Sequence, residues 1–151
     1  YEQRGITKDG AKMIMAVSNS EVPKFTVMCH GSFGAGNYGM SGRAFDSRFL
    51  FSWPQSQISV MGAEQAANTL AEVKIRQLAR HGKQLTAEEV AAIREPVVAE
   101  FKRKSSAYYS TSEIWDDGIL DPVDTRNALG IAISAALNTP IGDPRYGIFR
   151  M

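Results

Sequence analysis

The segment that decides the fold runs from His30 to Met40 and reads HGSFGAGNYGM, with four glycines in eleven positions. It follows Phe25–Cys29, a short apolar run with the length and composition of a buried strand. A single glycine at such a place is most simply explained by a tight turn or by close packing. Four glycines directly after a strand favour a loop whose consecutive backbone N–H groups face one small space and bind an anion there.

Residues 34–39 of this segment also spell the G-x-G-x-x-G pattern of dinucleotide-binding proteins. That pattern requires a helix that begins within the loop and an acidic residue about 20 positions later. Residues 41–48 lack a helical apolar period, and no carboxylate occurs between Ser47 and Ala63. The Gly-Lys-Ser/Thr ending of a phosphate-binding loop is missing as well. The loop therefore favours an oxyanion site, in which preorganised N–H groups stabilise charge that arises during a reaction.

Side chains for nucleophilic, acid–base or metal chemistry are scarce in this sequence. No G-x-S-x-G nucleophile turn occurs, and no nucleophile–base pair can be assembled from the spacing. His30 is a candidate general base or a structural hydrogen-bonding residue, and its neighbour Cys29 is predicted to lie in the core. Two histidines and one cysteine make a poor ligand set, so no metal site is predicted.

The composition indicates one globular domain. The 151 residues are 44% hydrophobic and 22% charged, which is ordinary for such a domain. Seventeen basic and sixteen acidic residues give a net charge of +1, which argues against a nucleic acid partner. No apolar stretch reaches about 18 residues, so no membrane span is predicted. The single cysteine excludes an internal disulfide and fits a reducing compartment.

Strands and helices alternate along the chain, which predicts an α/β fold. The predicted strands are three short apolar runs, Phe25–Cys29, Phe49–Trp53 and Ile58–Met61. The predicted helices are Thr7–Ser18, Ala63–Arg80 with Gly82 just beyond its end, and a segment that the capping box Thr86-x-x-Glu89 opens. Pro96 is expected to kink or split that last helix. The basic run Lys102–Lys104 at its end is predicted to be solvated and to complement the helix dipole.

A further helix is predicted after Asp121-Pro122, where Asp caps the helix and Pro takes the first helical position. Its segment Leu129–Leu137 is apolar nearly all round, which predicts burial between layers. The sequence contains no internal repeat. The chain opens on Tyr1 without an initiating methionine, and we expect it to be the C-terminal part of a longer protein.

Several segments, in this order along the chain, resemble carboxyltransferase β subunits of biotin-dependent acyl-CoA carboxylases. Within that family the chain is most similar to the methylcrotonoyl-CoA carboxylases. The matching segments are Phe33–Met40, Gly42–Phe45, Phe49–Pro54, Ile58–Ala67, Trp115–Arg126 and the ending Tyr146–Met151.

The resemblance implies a crotonase-like fold, in which small β-sheets form a β-β-α spiral surrounded by helices. It implies that residues 1–151 are the C-terminal carboxyltransferase domain of a two-domain β subunit. The acyl-CoA substrate then sits mainly on the N-terminal domain of a second β subunit in a homo-oligomer. Carboxybiotin arrives on the carrier domain of a biotin carboxylase α subunit. Bacterial cytoplasm and mitochondrial matrix both fit such an enzyme.

The resemblance also assigns roles to the glycine-rich segment. The backbone N–H groups of Ala35 and Gly36 hold the biotin ureido oxygen, which becomes negative when CO2 leaves. The biotin nitrogen then takes a proton from the acyl-CoA, whose enolate captures CO2, so no side-chain base is required. Gly34 belongs to the same loop, and Phe33 and Tyr38 flank it either as biotin-ring contacts or as core aromatics. Gly62 and Ala63 begin a helix whose N–H groups could point into the same cavity.

The acyl substrate and the function class are open to alternatives. In propionyl-CoA relatives an aspartate stands at the position that matches Tyr38, and its absence here favours 3-methylcrotonoyl-CoA, an intermediate of leucine degradation. Geranyl-CoA, propionyl-CoA and acetyl-CoA carboxylases are alternatives. A stand-alone crotonase-type hydratase or isomerase would use Glu64 or Asp46 as acid and base. A non-catalytic domain would dimerise through Ile131–Leu137. We expect the chain alone to lack carboxylase activity, because half of the site would be missing.

Overall fold

The computed structural model describes residues 1–143 and Gly147. The helices are α1 (Ile6–Asn19), α2 (Ala35–Gly39), α3 (Ala63–Arg80), α4 (Ala87–Ser105), α5 (Ala107–Ser112) and α6 (Thr125–Ala136). The strands are β1 (Phe25–Met28), β2 (Gly31–Phe33), β3 (Phe49–Ser52) and β4 (Gln57–Ser59). Single 3₁₀ turns cover Glu2–Arg4, Arg43–Phe45 and Pro122–Asp124. The architecture is therefore mixed α/β, as the alternation of patterns predicts.

The order β-β-α occurs twice in succession, first as β1-β2-α2 and then as β3-β4-α3. The first strands of the two units pair in parallel, with Phe25 opposite Phe49, and the second strands pair in parallel, with Gly31 opposite Gln57. Two small two-stranded sheets result. A repeat that is not visible in the residues is therefore present in the order and pairing of the elements.

Most predicted elements are confirmed. Helix α3 has the predicted bounds, Gly82 follows it at φ +73°, and Thr86 and Glu89 form the capping box that opens α4. Asp121 caps the turn that leads into α6, where its side chain accepts a hydrogen bond from the Val123 N–H. Helix α4 continues through Pro96, so the expectation that Pro96 splits the helix is wrong, and the alternative of a kink stays a prediction.

The glycine-rich segment is more regular than predicted. The expectation of one loop from His30 to Met40 is wrong, because β2 and α2 lie within it. Strand β4 ends at Ser59, two residues before the predicted end. Cys29 is exposed rather than buried, since it lies just beyond Met28, the buried end of β1.

Burial of α6 is also predicted wrongly. Ile131 is 72% exposed and Leu137 is 65% exposed, whereas the small residues Ala132 and Ala136 are buried. The helix thus contacts the rest of the chain through its alanine face and leaves its larger side chains outside. The accessible surface is 10,863 Å², against about 7,500 Å² for a compact monomer of this length.

In the part of the chain that the structure describes, no helix has the length and apolar character needed to cross a membrane.

The buried apolar residues are mostly small. Leu50 on β3 and Met28 on β1 are the larger ones, and the helices contribute alanines: Ala66, Ala67, Ala71, Ala107, Ala132 and Ala136. Alanines at these positions let the helix backbones approach closely, so packing depends on backbone geometry more than on bulky side chains.

A buried carboxylate ties α5 and the segment after it to β3. Asp116, only 4% exposed, accepts hydrogen bonds from Ser52 Oγ at 2.6 Å and Thr111 Oγ1 at 2.8 Å, and Ser110 Oγ lies 3.2 Å away. Its neighbour Asp117 accepts a hydrogen bond from the Leu50 N–H at 2.7 Å and donates its own N–H to the Leu50 carbonyl at 2.8 Å. Residues 116–120 therefore run along β3 like an additional strand.

We expect Asp116→Ala to lower the free energy of unfolding by about 2 kcal/mol, because it leaves the buried Ser52 hydroxyl without its acceptor. Asp9→Ala is the control, since that carboxylate is exposed on α1 and pairs with Lys12 at the surface; it should lower the free energy by less than about 1 kcal/mol. Urea unfolding followed by circular dichroism measures both. Equal effects of the two substitutions would contradict the role given to Asp116.

Candidate functional site

The turn from β2 into α2 depends on the backbone of Gly34. This residue has φ +60° and ψ −144°, a backbone conformation that residues other than glycine rarely adopt. Its N–H donates to the Ser59 carbonyl at 3.1 Å and so extends the pairing of β2 with β4 by one bond. Helix α2 begins at the next residue. Gly34 therefore joins the end of a strand directly to a helix N-terminus.

The N–H groups of Ala35 and Gly36 come first in α2. The first N–H groups of any helix have no acceptor within the helix. Among the residues that the structure describes, no carbonyl or side chain accepts a hydrogen bond from either of these two groups. A Cβ atom added at Gly36 would meet nothing within 4 Å, so space is open beside it. The two groups can therefore donate to an oxygen that approaches from outside.

Two other glycines allow close packing around α2. Gly42 leaves no room for a Cβ atom, because the Asn37 side chain occupies that space, and its N–H donates to the Asn37 carbonyl at 2.9 Å. Asn37 Nδ2 donates to Ser32 Oγ at 2.7 Å, which ties α2 to β2. Gly39 is buried against the Met13 side chain of α1. The glycines thus serve different purposes. Among those of the segment from His30 to Met40, Gly36 alone has open space beside it.

A cavity of about 470 Å³, here called the Gly34 cavity, opens beside this turn. Its walls come from α2, β4, α4 and the segment after α5. The lining residues are Gly34, Asn37, Tyr38, Ile58, Ser59, Val60, Glu100, Phe101, Lys104 and Trp115. Five of these side chains are apolar or aromatic, and one amide, one hydroxyl, one carboxylate and one ammonium group complete the wall.

The structure divides the predicted cofactor-binding residues between two cavities, whereas Ala35 and Gly36 are not among the lining residues of either cavity. Gly34 and Tyr38 line the Gly34 cavity, whereas Phe33, Gly62 and Ala63 line a neighbouring cavity of about 380 Å³. Phe101 of α4 lines both cavities and lies between them. The start of α3 therefore does not share the Gly34 cavity.

The two aromatic residues that flank the turn are accessible. Phe33 is 40% exposed and Tyr38 is 47% exposed, so the alternative that they are core aromatics is wrong. The Tyr38 ring meets the Phe45 ring edge-on, with 6.1 Å between centroids. Both rings therefore present surface on which a ligand can pack.

An ion cluster closes the α4 side of the Gly34 cavity. The Glu100 carboxylate accepts from Arg103 Nε at 3.1 Å and lies 2.8 Å from Lys104 Nζ. The hydrogen bonds from Arg103, and next those from Lys104, lower the pKa of Glu100 from 4.5 to about 2. Glu100 is therefore ionised at neutral pH and makes a poor general acid or base.

An aromatic pair continues from this cluster. The Arg103 guanidinium lies 5.4 Å from the centre of the Tyr109 ring, and Tyr109 meets Trp115 edge-on at 5.8 Å. Sequence reasoning missed Glu100, Phe101, Lys104 and Trp115 as cavity residues. Glu100 stands three and four residues before Arg103 and Lys104, a spacing that predicts ion pairs on a helix but says nothing of a cavity.

The side chains considered for acid–base work lie elsewhere. Glu64 lines the neighbouring cavity and pairs with Arg94 at 3.1 Å. His30 is exposed, and its backbone carbonyl accepts the Gln57 N–H at 3.2 Å. Asp46 lines a separate cavity beside Arg48. Within residues 1–143 and Gly147, no group of three or more His, Cys, Asp or Glu side chains is placed to hold a metal ion.

Comparison with known proteins identifies relatives along nearly the whole chain. A family profile for the carboxyl transferase domain matches residues 1–146. The mitochondrial methylcrotonoyl-CoA carboxylase β chain of Dictyostelium discoideum is 48% identical over 153 residues, covering 100% of this chain and 26% of the relative. The biotin-dependent 3-methylcrotonyl-coenzyme A carboxylase β1 subunit of Mycobacterium tuberculosis is 49% identical, covering 100% of this chain and 28% of the relative.

A solved structure is similar as well. The geranyl-CoA carboxylase β subunit of P. aeruginosa superimposes with a TM-score of 0.79 at 37% identity, covering 99% of this chain and 28% of that one. The chain thus spans about a quarter of the length of these relatives.

The pairing of Glu100 should be visible in an NMR titration of its side-chain carboxyl carbon. We expect a midpoint at about pH 2, because Arg103 and Lys104 stabilise the carboxylate. The folded-state pKa lies below the ordinary value of 4.5, so the stabilisation is present above pH 4.5 and is lost as the pH falls towards 2. In a variant with Arg103→Gln and Lys104→Gln the midpoint should rise towards 4.5. A midpoint near 4.5 in the unchanged protein would contradict the ion cluster.

Proposed function

This chain belongs to the carboxyl transferase family, and from that premise we propose that it forms half of the carboxyltransferase site of a biotin-dependent acyl-CoA carboxylase. The half-site receives carboxybiotin, and a second domain presents the acyl-CoA. In this proposal residues 1–151 are a C-terminal carboxyltransferase domain. The repeated β-β-α order supports a crotonase-like spiral.

The observation that carries the proposal is the pair of N–H groups at Ala35 and Gly36. They are adjacent in the chain, they have no acceptor among the described residues, and open space adjoins Gly36. An oxygen that becomes negative during a reaction is stabilised by two such preorganised donors. The donor set therefore fits the ureido oxygen of biotin, which is neutral before the transfer and negative after CO2 leaves.

The chain's own residues have three tasks in this proposal. Biotin, when bound in its carboxylated form, supplies the CO2 and the nitrogen that accepts the substrate proton. Ala35 and Gly36 donate hydrogen bonds to the oxygen on which charge accumulates. Gly34 fixes the direction of both N–H groups through its backbone conformation. The exposed ring of Tyr38 provides a flat surface for the cofactor in the Gly34 cavity, and the exposed ring of Phe33 provides one in the neighbouring cavity.

We propose 3-methylcrotonoyl-CoA as the acyl substrate. The methylcrotonoyl-CoA carboxylase relatives share 48–49% identity with the chain, against 37% for the geranyl-CoA carboxylase subunit. Tyr38 lines the Gly34 cavity with an uncharged ring, which suits an apolar branched acyl group better than a carboxylate at that position would. Geranyl-CoA is the nearest alternative substrate.

The partners follow from the same proposal. An α subunit with biotin carboxylase and carrier domains brings the biotin, and the N-terminal domain of a second β subunit completes the site. Exposed apolar side chains on α6 and at its C-cap, Ile131 and Leu137 among them, suit a contact with another part of the assembly. The mitochondrial matrix or the bacterial cytoplasm is the proposed location, in keeping with relatives named mitochondrial.

A hydratase or isomerase is less well supported. It would need a titratable acid and base beside the oxyanion donors. Glu64 and Asp46 line other cavities, and Glu100 is held as a carboxylate by two cations. Carboxyl transfer needs no side-chain base in this half of the site, which agrees better with the residues present.

Ala35→Pro tests the donor role in the full-length enzyme with its α subunit. Proline is tolerated at the first helical position, so the substitution removes one N–H group without breaking a bond within α2. We expect the rate of carboxyl transfer to fall by about 10²–10³-fold. The measurement is the rate of carboxylated product formed from 3-methylcrotonoyl-CoA.

Ala35→Ser is the matched control, because it changes the side chain and keeps the N–H group. We expect it to retain most of the activity and both variants to keep the melting temperature of the parent. An Ala35→Pro enzyme that transfers CO2 at a near-normal rate would contradict the assignment of the donors.

A further inference from the structure

The segment directly after α5 holds a residue in an unusual backbone conformation. Ile114 has φ +59°, in the left-handed region that β-branched residues rarely adopt. Its side chain is 75% exposed, so burial of that side chain does not explain the conformation. Ile114 is the left-handed residue of the turn that ends α5, a position that is usually occupied by glycine.

Contacts on both sides of Ile114 fix its backbone. The Ile114 N–H donates to the Thr111 carbonyl at 3.0 Å, and the Trp115 N–H donates to the Ser110 carbonyl at 2.9 Å. The next residue is Asp116, whose carboxylate is held by the buried hydroxyls of α5 and β3. Trp115 is the residue between the strained backbone and the buried anchor, so its direction is set from both ends.

Trp115 is directed to the Gly34 cavity, whose wall it forms together with Tyr38 and Phe101. It remains 41% exposed, and one edge of its ring system is supported by Tyr109. The Arg103 guanidinium lies over the Tyr109 ring and donates a hydrogen bond to the Glu100 carboxylate. The indole is therefore a rigid, accessible surface at the cavity, supported on one side and open on the other.

We propose that Trp115 is a ligand-contacting residue of the carboxyltransferase site, and that Ile114 and Asp116 position it. Its indole packs against an apolar part of the ligand whose oxygen the N–H groups of Ala35 and Gly36 hold. That apolar part belongs either to biotin or to the branched acyl group of the thioester. This inference rests on the proposed function, because Gly34, which lines the cavity together with Trp115, directly precedes Ala35 and Gly36 in the chain.

The test is a ¹⁹F NMR titration of the full-length protein labelled with 5-fluorotryptophan. Loss of one resonance in Trp115→Phe and of another in Trp53→Phe identifies the two signals. Trp53 is an internal control, because its indole nitrogen donates to Thr125 Oγ1 at 2.9 Å and it does not line the cavity. Free biotin, 3-methylcrotonoyl-CoA and CoA without an acyl group are added separately. The backbone amide signal of Gly36 is followed in parallel in ¹H–¹⁵N correlation spectra.

We expect the Trp115 resonance to shift saturably, while the Trp53 resonance stays in place. A shift with biotin assigns the apolar contact to the cofactor, and a shift with 3-methylcrotonoyl-CoA but not with CoA assigns it to the acyl group. If the Gly36 amide responds to a ligand and the Trp115 resonance does not, the inference is wrong and the proposed function stands. If neither responds to any of the ligands, both are wrong.

Two variants separate contact from positioning. Trp115→Ala should weaken binding of the responsive ligand by about tenfold, and Trp115→Phe should weaken it less, because an aromatic surface remains. Ile114→Gly should keep or raise the melting temperature, since glycine favours this backbone conformation after a helix. It should also keep ligand binding, because the turn that directs Trp115 is preserved, whereas Ile114→Pro, which cannot adopt a positive φ and lacks the N–H that donates to the Thr111 carbonyl, should weaken binding about threefold. Unchanged binding in Trp115→Ala overturns the contact, and unchanged binding in Ile114→Pro overturns the positioning role.

Discussion

The backbone of Gly34 is the constraint on which the rest of the site depends. Its positive φ ends β2 with a hydrogen bond to Ser59 and starts α2 one residue later. A side chain at this position would be strained and would also crowd the Val60 carbonyl. Because the strand is fixed by its partner β4, the direction of the first N–H groups of α2 is fixed as well. The direction of the proposed donors is thus set by the pairing of β2 with β4 and by the backbone conformation of Gly34.

A second set of contacts holds the opposite wall of the cavity. Asp116 and Asp117 attach the segment after α5 to β3, which pairs with β1. Strand β4 follows β3 in the chain, and its last residue, Ser59, accepts the hydrogen bond from the Gly34 N–H. The Glu100 ion cluster adds a support from α4. The charged residues that line the cavity, Glu100 and Lys104, form an ion pair with each other, so the cavity offers shape and apolar surface rather than free acid–base groups. That character agrees with carboxyl transfer, in which the cofactor and the substrate carry the proton and the charge.

The sequence is sufficient to predict most of the longer elements, because α1, α3, α4, β1 and β3 carry strong local patterns or caps. The sequence pattern does not reveal β2 and α2 within the glycine-rich segment, because a three-residue strand and a five-residue helix are too short to show a period. The burial of α6 was predicted wrongly because an apolar pattern does not say which protein surface covers it. Cavity residues such as Phe101 and Trp115 come from segments far apart in the chain, and only the fold brings them beside Tyr38. The family, by contrast, was evident from long motifs and is confirmed by the relatives.

The most direct measurement is a crystal structure of the full-length protein, in its assembly, with biotin bound. The account predicts that the ureido oxygen lies about 2.7–3.1 Å from both the Ala35 and the Gly36 backbone nitrogens. A ureido oxygen bound elsewhere, or either N–H group turned towards a protein carbonyl in that complex, would contradict it.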